Sequence, residues 1–295
     1  LNTNKIIITT DFSETSFLAI KHGAFLAQYT KGEVYLLHVI TKHWEKFNVF
    51  TPSITLDNVE KASDAVQKKL EELASDIKKE YGVKVTTVVN SGNPTSEIIS
   101  FAKEINADLI VMGTHGYSSW EDLTIGSNAL KVLTKSPCPV LTMSQPVDTL
   151  GYHKIILPID TSEHSRHKVV LTLELAKQFV AHVYAVGLLA DDEESKKHAM
   201  QVMLQQVATA AKDKGVACST ELIENVKNRA VATVNYCEKV GGDLISIMTD
   251  QDAELSGFFL GPYALQVIHH SKVPVLSVKP EEHPENVSWT MLSGT

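Results

Sequence analysis

The sequence predicts an α/β protein made of two tandem, doubly wound, parallel five-stranded sheets with helices on both faces. Short apolar runs alternate with longer amphipathic segments, which is typical of strand–helix–strand units. The chain of 295 residues has room for about two domains of roughly 150 residues each. Its second half also repeats the order of the first. We therefore expect domains at residues 1–146 and 150–280, with a polar tail at 281–295.

The first half supplies five strands and four helices. In order, the predicted elements are a strand at Lys5–Asp11, a helix at Phe17–Gln28, a strand at Glu33–Ile40, a helix from about Asp57 to Tyr81, a strand at Val83–Val89, a helix at Thr95–Ile105, a strand at Asp108–Met112, a helix beginning near Gly126 and a strand at Pro139–Met143. The first and fourth strands are continuous apolar runs, which favour a parallel sheet covered on both faces. Polar residues at 13–16 and the break at Gly92-Asn93-Pro94 mark helix starts.

An internal repeat relates the two halves. The segment Lys154–Ser165 aligns with Lys5–Ser16 at an offset of 149 residues, and Asp243-Leu-Ile aligns with Asp108-Leu-Ile at an offset of 135. The smaller offset means that the second copy has lost residues, mostly from the irregular stretch after the second strand. A tandem duplication explains this pattern.

Composition excludes several classes of function. The net charge of −8 and the pI near 5.8 argue against nucleic-acid binding, which needs a basic surface. No apolar run approaches the length of a membrane span and the first residues enter a strand pattern, so we expect neither a membrane segment nor a signal peptide. Three cysteines without paired spacing favour a reducing, cytoplasmic setting, and the histidines form no metal-ligand motif.

One glycine-containing stretch is the candidate binding site. Gly113 and Gly116 follow the apolar fourth strand, and Gly126-Ser127 opens the next helix. Glycines at the two ends of a strand-to-helix loop are also ordinary turn chemistry. However, the start of a helix presents unpaired N–H groups and the positive end of its dipole, so it can bind phosphate. Glycine lets main chain approach such a ligand closely.

The complete pattern, G-x-x-G followed by nine residues and G-S, resembles the ATP-binding signature of the universal stress protein family. The match is complete at Gly113, Gly116, Gly126 and Ser127. The resemblance extends over nearly the whole chain as two repeats, and it implies a Rossmann-like fold with ATP as the ligand, either alone or with Mg²⁺.

The resemblance also implies roles for particular residues. The acid after the first strand, Asp11, would contact ribose or adenine, and Val39 would lie against adenine through its main chain. The glycine loop would take the ribose and phosphates. Thr10 and Asn128 flank these positions, and we include them as further contacts. The expected nucleotide-binding set is Thr10, Asp11, Val39, Gly113, Gly116, Gly126, Ser127 and Asn128. Asp11 could equally cap the helix that follows, and Ser127 could be a simple first-turn residue.

The second half keeps the frame of the loop but not its glycines. Met248, Gln251 and Pro262 stand where the first half has Gly113, Gly116 and Ser127, and Gly261 alone is retained. Side chains would fill the space that a phosphate needs, and proline removes one N–H donor. We expect ATP binding in the first half only. The second half is then either purely structural or specific for a different ligand.

Three functions remain open at this point. The leading hypothesis is a cytoplasmic, non-enzymatic stress-response protein that senses ATP and regulates a protein partner. A slow ATPase and a scaffold that binds no nucleotide are the alternatives. Family members commonly dimerise along the last strand, so the segments around Val140 and Val275 could pair within one chain, and two chains could also form a homodimer.

Overall fold

A computed structural model describes residues 3–41, 59–114, 125–145, 150–160, 165–190, 193–249 and 260–279. The chain divides between Pro146 and Val147 into two compact units. The expected tail at 281–295 lies outside the described residues. Within the described ranges, no helix has both the length and the apolar character needed to cross a bilayer.

The first unit contains five strands and four helices among its described residues. They are β1 (Lys5–Thr9), α1 (Glu14–Thr30), β2 (Glu33–Ile40), α2 (Val59–Tyr81), β3 (Lys84–Ser91), α3 (Pro94–Glu104), β4 (Leu109–Gly113), α4 (Ser127–Lys135) and β5 (Val140–Met143). Their strand order is β3-β2-β1-β4-β5, and every pair is parallel. Ile6, Ile7 and Ile8 of the central strand have no exposed surface, as expected for a strand covered on both faces.

The second unit repeats this order. Its elements are β6 (Lys154–Ile159), α5 (Ser165–Phe179), β7 (His182–Leu188), α6 (Glu194–Asp213), β8 (Ala217–Ile223), α7 (Arg229–Val240), β9 (Leu244–Met248), α8 (Pro262–His270) and β10 (Val275–Val278). The strand order is β10-β9-β6-β7-β8, again with parallel neighbours. The predicted fold class is confirmed. The pairing of the two repeats stays a prediction.

The structure locates the deletion in the second repeat. Strands β6 and β7 follow β1 and β2 at the same offset, whereas β9 follows β4 at the smaller one. Residues 41–58 separate β2 from α2, but only residues 189–193 separate β7 from α6. The missing residues therefore belong to this connection, as the sequence indicated.

The repeated lysine and aspartate have a structural role at the amino ends of the strands. Asp108 accepts a hydrogen bond from the Lys5 main-chain N–H at 3.0 Å, and the Lys5 ammonium donates to a carbonyl at the end of α3. Asp243 and Lys154 repeat both contacts in the second unit. These pairs explain part of the sequence repeat without any ligand.

Most predicted boundaries differ from the observed ones by one or two residues. The largest difference is at α1, which begins at Glu14 rather than at Phe17 because Ser13 caps it: the Ser13 hydroxyl accepts from the Ser16 N–H. Strand β3 continues to Ser91, since it pairs with β2 as far as Ile40. Capping and strand pairing thus define ends that apolar periodicity leaves open.

Candidate functional site

The candidate site lies at the carboxyl ends of β1 and β4. Strand β1 has β2 on one side and β4 on the other, so the chain order reverses between β1 and β4. In open α/β sheets the crevice outside such a reversal is the usual ligand-binding position. The expected residues after β1, at the end of β2, at the end of β4 and at the start of α4 all belong to this edge.

Thr10 and Asp11 follow β1 and have different environments. Thr10 is 5% exposed, its N–H donates to the Leu37 carbonyl, and its hydroxyl lies 3.0 Å from the Ser16 hydroxyl. Asp11 is exposed, and its Oδ1 accepts from both the N–H and the hydroxyl of Ser13. Thr10 is therefore part of the framework, whereas Asp11 reaches the surface of the crevice.

The capping alternative for Asp11 takes a different form from the one expected. Ser13, not Asp11, is the N-cap of α1. Asp11 acts one step away, because its Oδ1 orients the capping serine. Asp11 is exposed, so its carboxylate remains accessible to a ligand.

Val39 lies on β2 beyond the last residue that β1 pairs with. The Thr10 N–H donates to the Leu37 carbonyl, and the Gly92 N–H donates to the Ile40 carbonyl on the opposite edge of β2. Main-chain groups point alternately to the two neighbouring strands. The N–H and C=O of Val39 therefore point to the same side as those of Leu37, where β1 has already ended. This is the geometry that a main-chain contact to a base requires.

His38 is a half-buried side chain beside this position. Its Nδ1–H donates to the Thr10 carbonyl at 2.8 Å, and its ring lies 4.9 Å from the ring of Phe12, centre to centre. Burial lowers the pKa of His38, and the Thr10 carbonyl and Asp11 oppose this shift without reversing it. The sequence analysis did not assign His38 to the site, although its place beside Val39 was the available signal.

Gly113, the last residue of β4, lies against the first turn of α1. A Cβ at this position would come within 2.7 Å of the Thr15 Oγ1 and 3.0 Å of the Thr15 main-chain carbon. This glycine is needed for packing whether or not a ligand is bound. The Thr15 hydroxyl is also 3.2 Å from the Ser13 hydroxyl, so hydrogen bonds connect Asp11 through Ser13 to the residue that contacts Gly113. Sequence reasoning missed Ser13 and Thr15 as part of the site.

Helix α4 begins at the second half of the glycine motif. The Gly126 N–H donates to the Thr114 carbonyl at 2.7 Å, so the loop that leaves β4 at Thr114 returns to the same point. Gly126 is the N-cap residue, and no side chain in the described structure makes a capping hydrogen bond there. Ser127 and Asn128 are exposed. Gly116 lies outside the described residues.

Asn128 is also near the start of α3. Its Oδ1 is 3.5 Å from the hydroxyl of Thr95, a long contact. Gly92, before α3, has a φ of +148°, which favours glycine. The starts of α3 and α4 thus meet at the crevice. Across the described residues, no group of three or more His, Cys, Asp and Glu side chains is arranged to hold a metal ion.

The structure brings seven of the eight predicted residues to one edge of the first unit. They are Thr10, Asp11, Val39, Gly113, Gly126, Ser127 and Asn128. Gly113 and Thr10 serve packing as well. The available chemistry consists of main-chain donors at α4, main-chain groups of Val39 and the carboxylate of Asp11.

The second unit has the same loop frame with different contents. The Thr249 N–H donates to Val278 and its carbonyl accepts from the Gly261 N–H at 3.0 Å, as Thr114 does in the first unit. Met248 is completely buried, and Pro262 is the first residue of α8. Gln251 lies outside the described residues. The second unit therefore keeps the hydrogen bonds of the loop. It has lost the glycine and the N–H donor that the first unit has at Gly113 and Ser127.

Comparison with known proteins assigns both halves of the chain to one family. The model of the universal stress protein family matches residues 2–143 and again residues 151–279. Universal stress protein MJ0531 of Methanocaldococcus jannaschii is 35% identical over 145 residues, which cover 48% of this chain and 82% of that protein. MJ0577 of the same organism is 34% identical over 153 residues, covering 48% and 94%. The crystal structure of a universal stress protein from Archaeoglobus fulgidus matches with a TM-score of 0.75 at 19% identity, covering 95% of this chain and 98% of that one.

Proposed function

The chain belongs to the universal stress protein family, and we propose that its first unit binds ATP and thereby acts as a nucleotide-dependent regulator in the cytoplasmic stress response. The second unit does not bind nucleotide in this proposal. A protein partner would read the occupancy of the first unit.

The start of α4 carries this proposal. Gly126 leaves the first-turn N–H groups without a side-chain cap in the described structure, at the point where the loop returns to β4. Uncapped N–H groups and the positive end of the helix dipole favour a phosphate. Such binding needs no lysine or arginine, which agrees with the acidic composition of the chain.

The remaining contacts suit a nucleoside. The main-chain N–H and C=O of Val39 face the space beyond β1, where an adenine edge can use one donor and one acceptor. The Oδ2 of Asp11 can accept a hydrogen bond from a ribose hydroxyl. Because Ser13 holds Oδ1, this carboxylate is already oriented before the ligand arrives.

We propose sensing rather than turnover. Phosphoryl transfer requires a group that positions the nucleophile and usually carboxylate ligands for Mg²⁺. The described crevice instead offers main-chain donors, and Ser13 already holds the Oδ1 of its aspartate. Any Mg²⁺ would then accompany the phosphates of ATP.

Calorimetric titration of nucleotide-free protein with ATP tests the proposal. We expect one site per chain. Gly126→Val places a branched side chain where a Cβ already meets the Thr114 carbonyl at 3.2 Å, so it should abolish binding. Gly261→Val changes the equivalent N-cap of the second unit and should leave binding intact. Absence of binding by the wild type, or an equal loss in the two variants, would refute the proposal.

A further inference from the structure

The second unit has a cluster of charged and polar side chains at the place where the first unit has its candidate nucleotide site. It consists of Asp160, Lys168, Arg229 and Tyr263. Asp160 follows β6 as Asp11 follows β1, and Tyr263 occupies the position in α8 that Asn128 has in α4. Arg229 is the first residue of α7, whose counterpart α3 begins with Pro94. The carboxyl edge of the second sheet has therefore gained charged and polar side chains and has not only lost glycines.

Lys168 places a cation under this edge. It has no exposed surface, and its ammonium donates to the Pro158 carbonyl near the end of β6. The corresponding residue of the first unit is Ala19, which has no exposed surface. Burial lowers the pKa of Lys168 to about 8, so the side chain still carries its charge at neutral pH. The second unit therefore has a buried cation, Lys168, where the first unit has the methyl group of Ala19.

Arg229 adds a second cation closer to the surface. Its guanidinium carbon lies 5.6 Å from the centre of the Tyr263 ring, and the Tyr263 hydroxyl is 2.9 Å from the Thr233 hydroxyl. The Nε of Arg229 is buried and has no hydrogen-bond partner in the described part of the chain. A buried, unused donor on a charged group is costly. This arrangement suits a site whose acceptor comes from a ligand.

The charges of the cluster do not balance. Asp160 and Arg229 are both close enough to shift the pKa of Lys168, in opposite directions. Within these four side chains, two cations therefore face one carboxylate. Buried charges are normally paired, and the planar fork of an arginine matches a carboxylate or a phosphate.

We propose that the crevice of the second unit binds a small oxyanion through the Arg229 guanidinium, above the charge of Lys168. We expect no nucleotide at this site, because Met248 replaces Gly113, the larger side chain of Tyr263 replaces that of Asn128, and Pro262 removes one main-chain donor. A small anion needs less space and depends on fixed cations, which this unit supplies. Phosphate and carboxylate share the required chemistry.

Titration of the full chain with inorganic phosphate, at an ionic strength held constant with sodium chloride, tests this inference by calorimetry. We expect one saturable site that Arg229→Gln weakens at least tenfold. Lys239→Gln is the matched control, because it removes a cation from the same helix in an exposed pair with Glu221; it should change affinity less than twofold. Arg229→Lys retains the charge without the fork and should bind several-fold more weakly, which provides a second test if the glutamine variant does not fold.

Two further arms separate the ligand classes and the two units. Acetate replaces phosphate in one arm, and Arg229-dependent binding of either anion supports the inference and identifies its class. In the other arm the titration is repeated in Gly126→Val, where phosphate binding should persist although ATP binding is lost. Phosphate binding that disappears in Gly126→Val and survives in Arg229→Gln would place the anion in the first unit and overturn the inference. Absence of binding by both anions would also overturn it, independently of whether the first unit binds ATP.

Discussion

Ser127→Pro is the most discriminating substitution in the first unit, because it should weaken nucleotide binding without disturbing the fold. It gives α4 the residue with which α8 begins, Pro262. Proline is well tolerated as the first residue of a helix, since the N–H it lacks has no intrahelical partner. The residue before a proline must be extended, and Gly126 already has φ −59° and ψ 143°, nearly identical to −60° and 149° at Gly261.

The expected magnitude follows from the lost donor. A hydrogen bond from a main-chain N–H to a charged acceptor contributes about 1.5–3 kcal/mol. At about 1.4 kcal/mol for each factor of ten, ATP affinity should fall by about 10- to 100-fold. The free energy of unfolding without ATP should change by less than about 0.5 kcal/mol, because Ser127 is exposed and its site accepts proline.

The assay is calorimetric titration with ATP combined with urea denaturation of the nucleotide-free protein. Pro262→Ser is the reciprocal control, and it should leave ATP affinity unchanged because it lies outside the first unit, which alone is proposed to bind ATP. ATP affinity equal to that of the wild type in Ser127→Pro would refute the reasoning that phosphate sits at the start of α4. A large loss of stability would show instead that the two helix starts are not interchangeable.

Three further predictions concern stability, each measured by urea denaturation. Gly113→Ala should destabilise the protein by about 1–3 kcal/mol, because the new Cβ meets Thr15 at 2.7 Å; an unchanged free energy of unfolding would contradict this packing role. Val180→Gly should stabilise it by about 0.5–1 kcal/mol, because Val180 is 87% exposed and has a φ of +52°, which a branched residue adopts only with strain; a loss of stability would reveal a role for the side chain. Burial lowers the pKa of His38 in the folded state, so the unfolded state binds the proton more readily, and stability should decline as the pH falls below about 6.5 towards the lower folded value; His38→Asn should show a smaller decline, and an identical pH profile would contradict the assignment.

The fold was predictable because it depends on local patterns that the chain repeats. The apolar runs at β1 and β4 and the Lys5 and Asp108 pair recur in the second half, and the structure shows the same strands and the same contacts there. Helix starts were less predictable. Ser13 caps α1, but several polar residues precede that helix and its periodic apolar positions begin only at Phe17.

The candidate site was predictable as a set of positions but not as a set of roles. The glycine motif indicated main chain close to a phosphate. However, Gly113 is required by Thr15, and Thr10 is tied into the framework by Leu37 and Ser16. Both contacts join residues that pattern analysis does not connect, so the sequence could not separate packing from ligand contact.

By itself the sequence determined the duplication, the parallel architecture and the asymmetry between the glycines of the two repeats, because each follows from the order and spacing of residues along one chain. The tertiary structure alone decided which groups share a crevice. It placed Val39 beyond the end of β1 and directed Ser13 to Asp11. It also gathered Lys168, Arg229 and Tyr263 from three helices at a single edge. Such groups come together through the parallel sheet, which aligns the ends of strands that lie far apart in the chain.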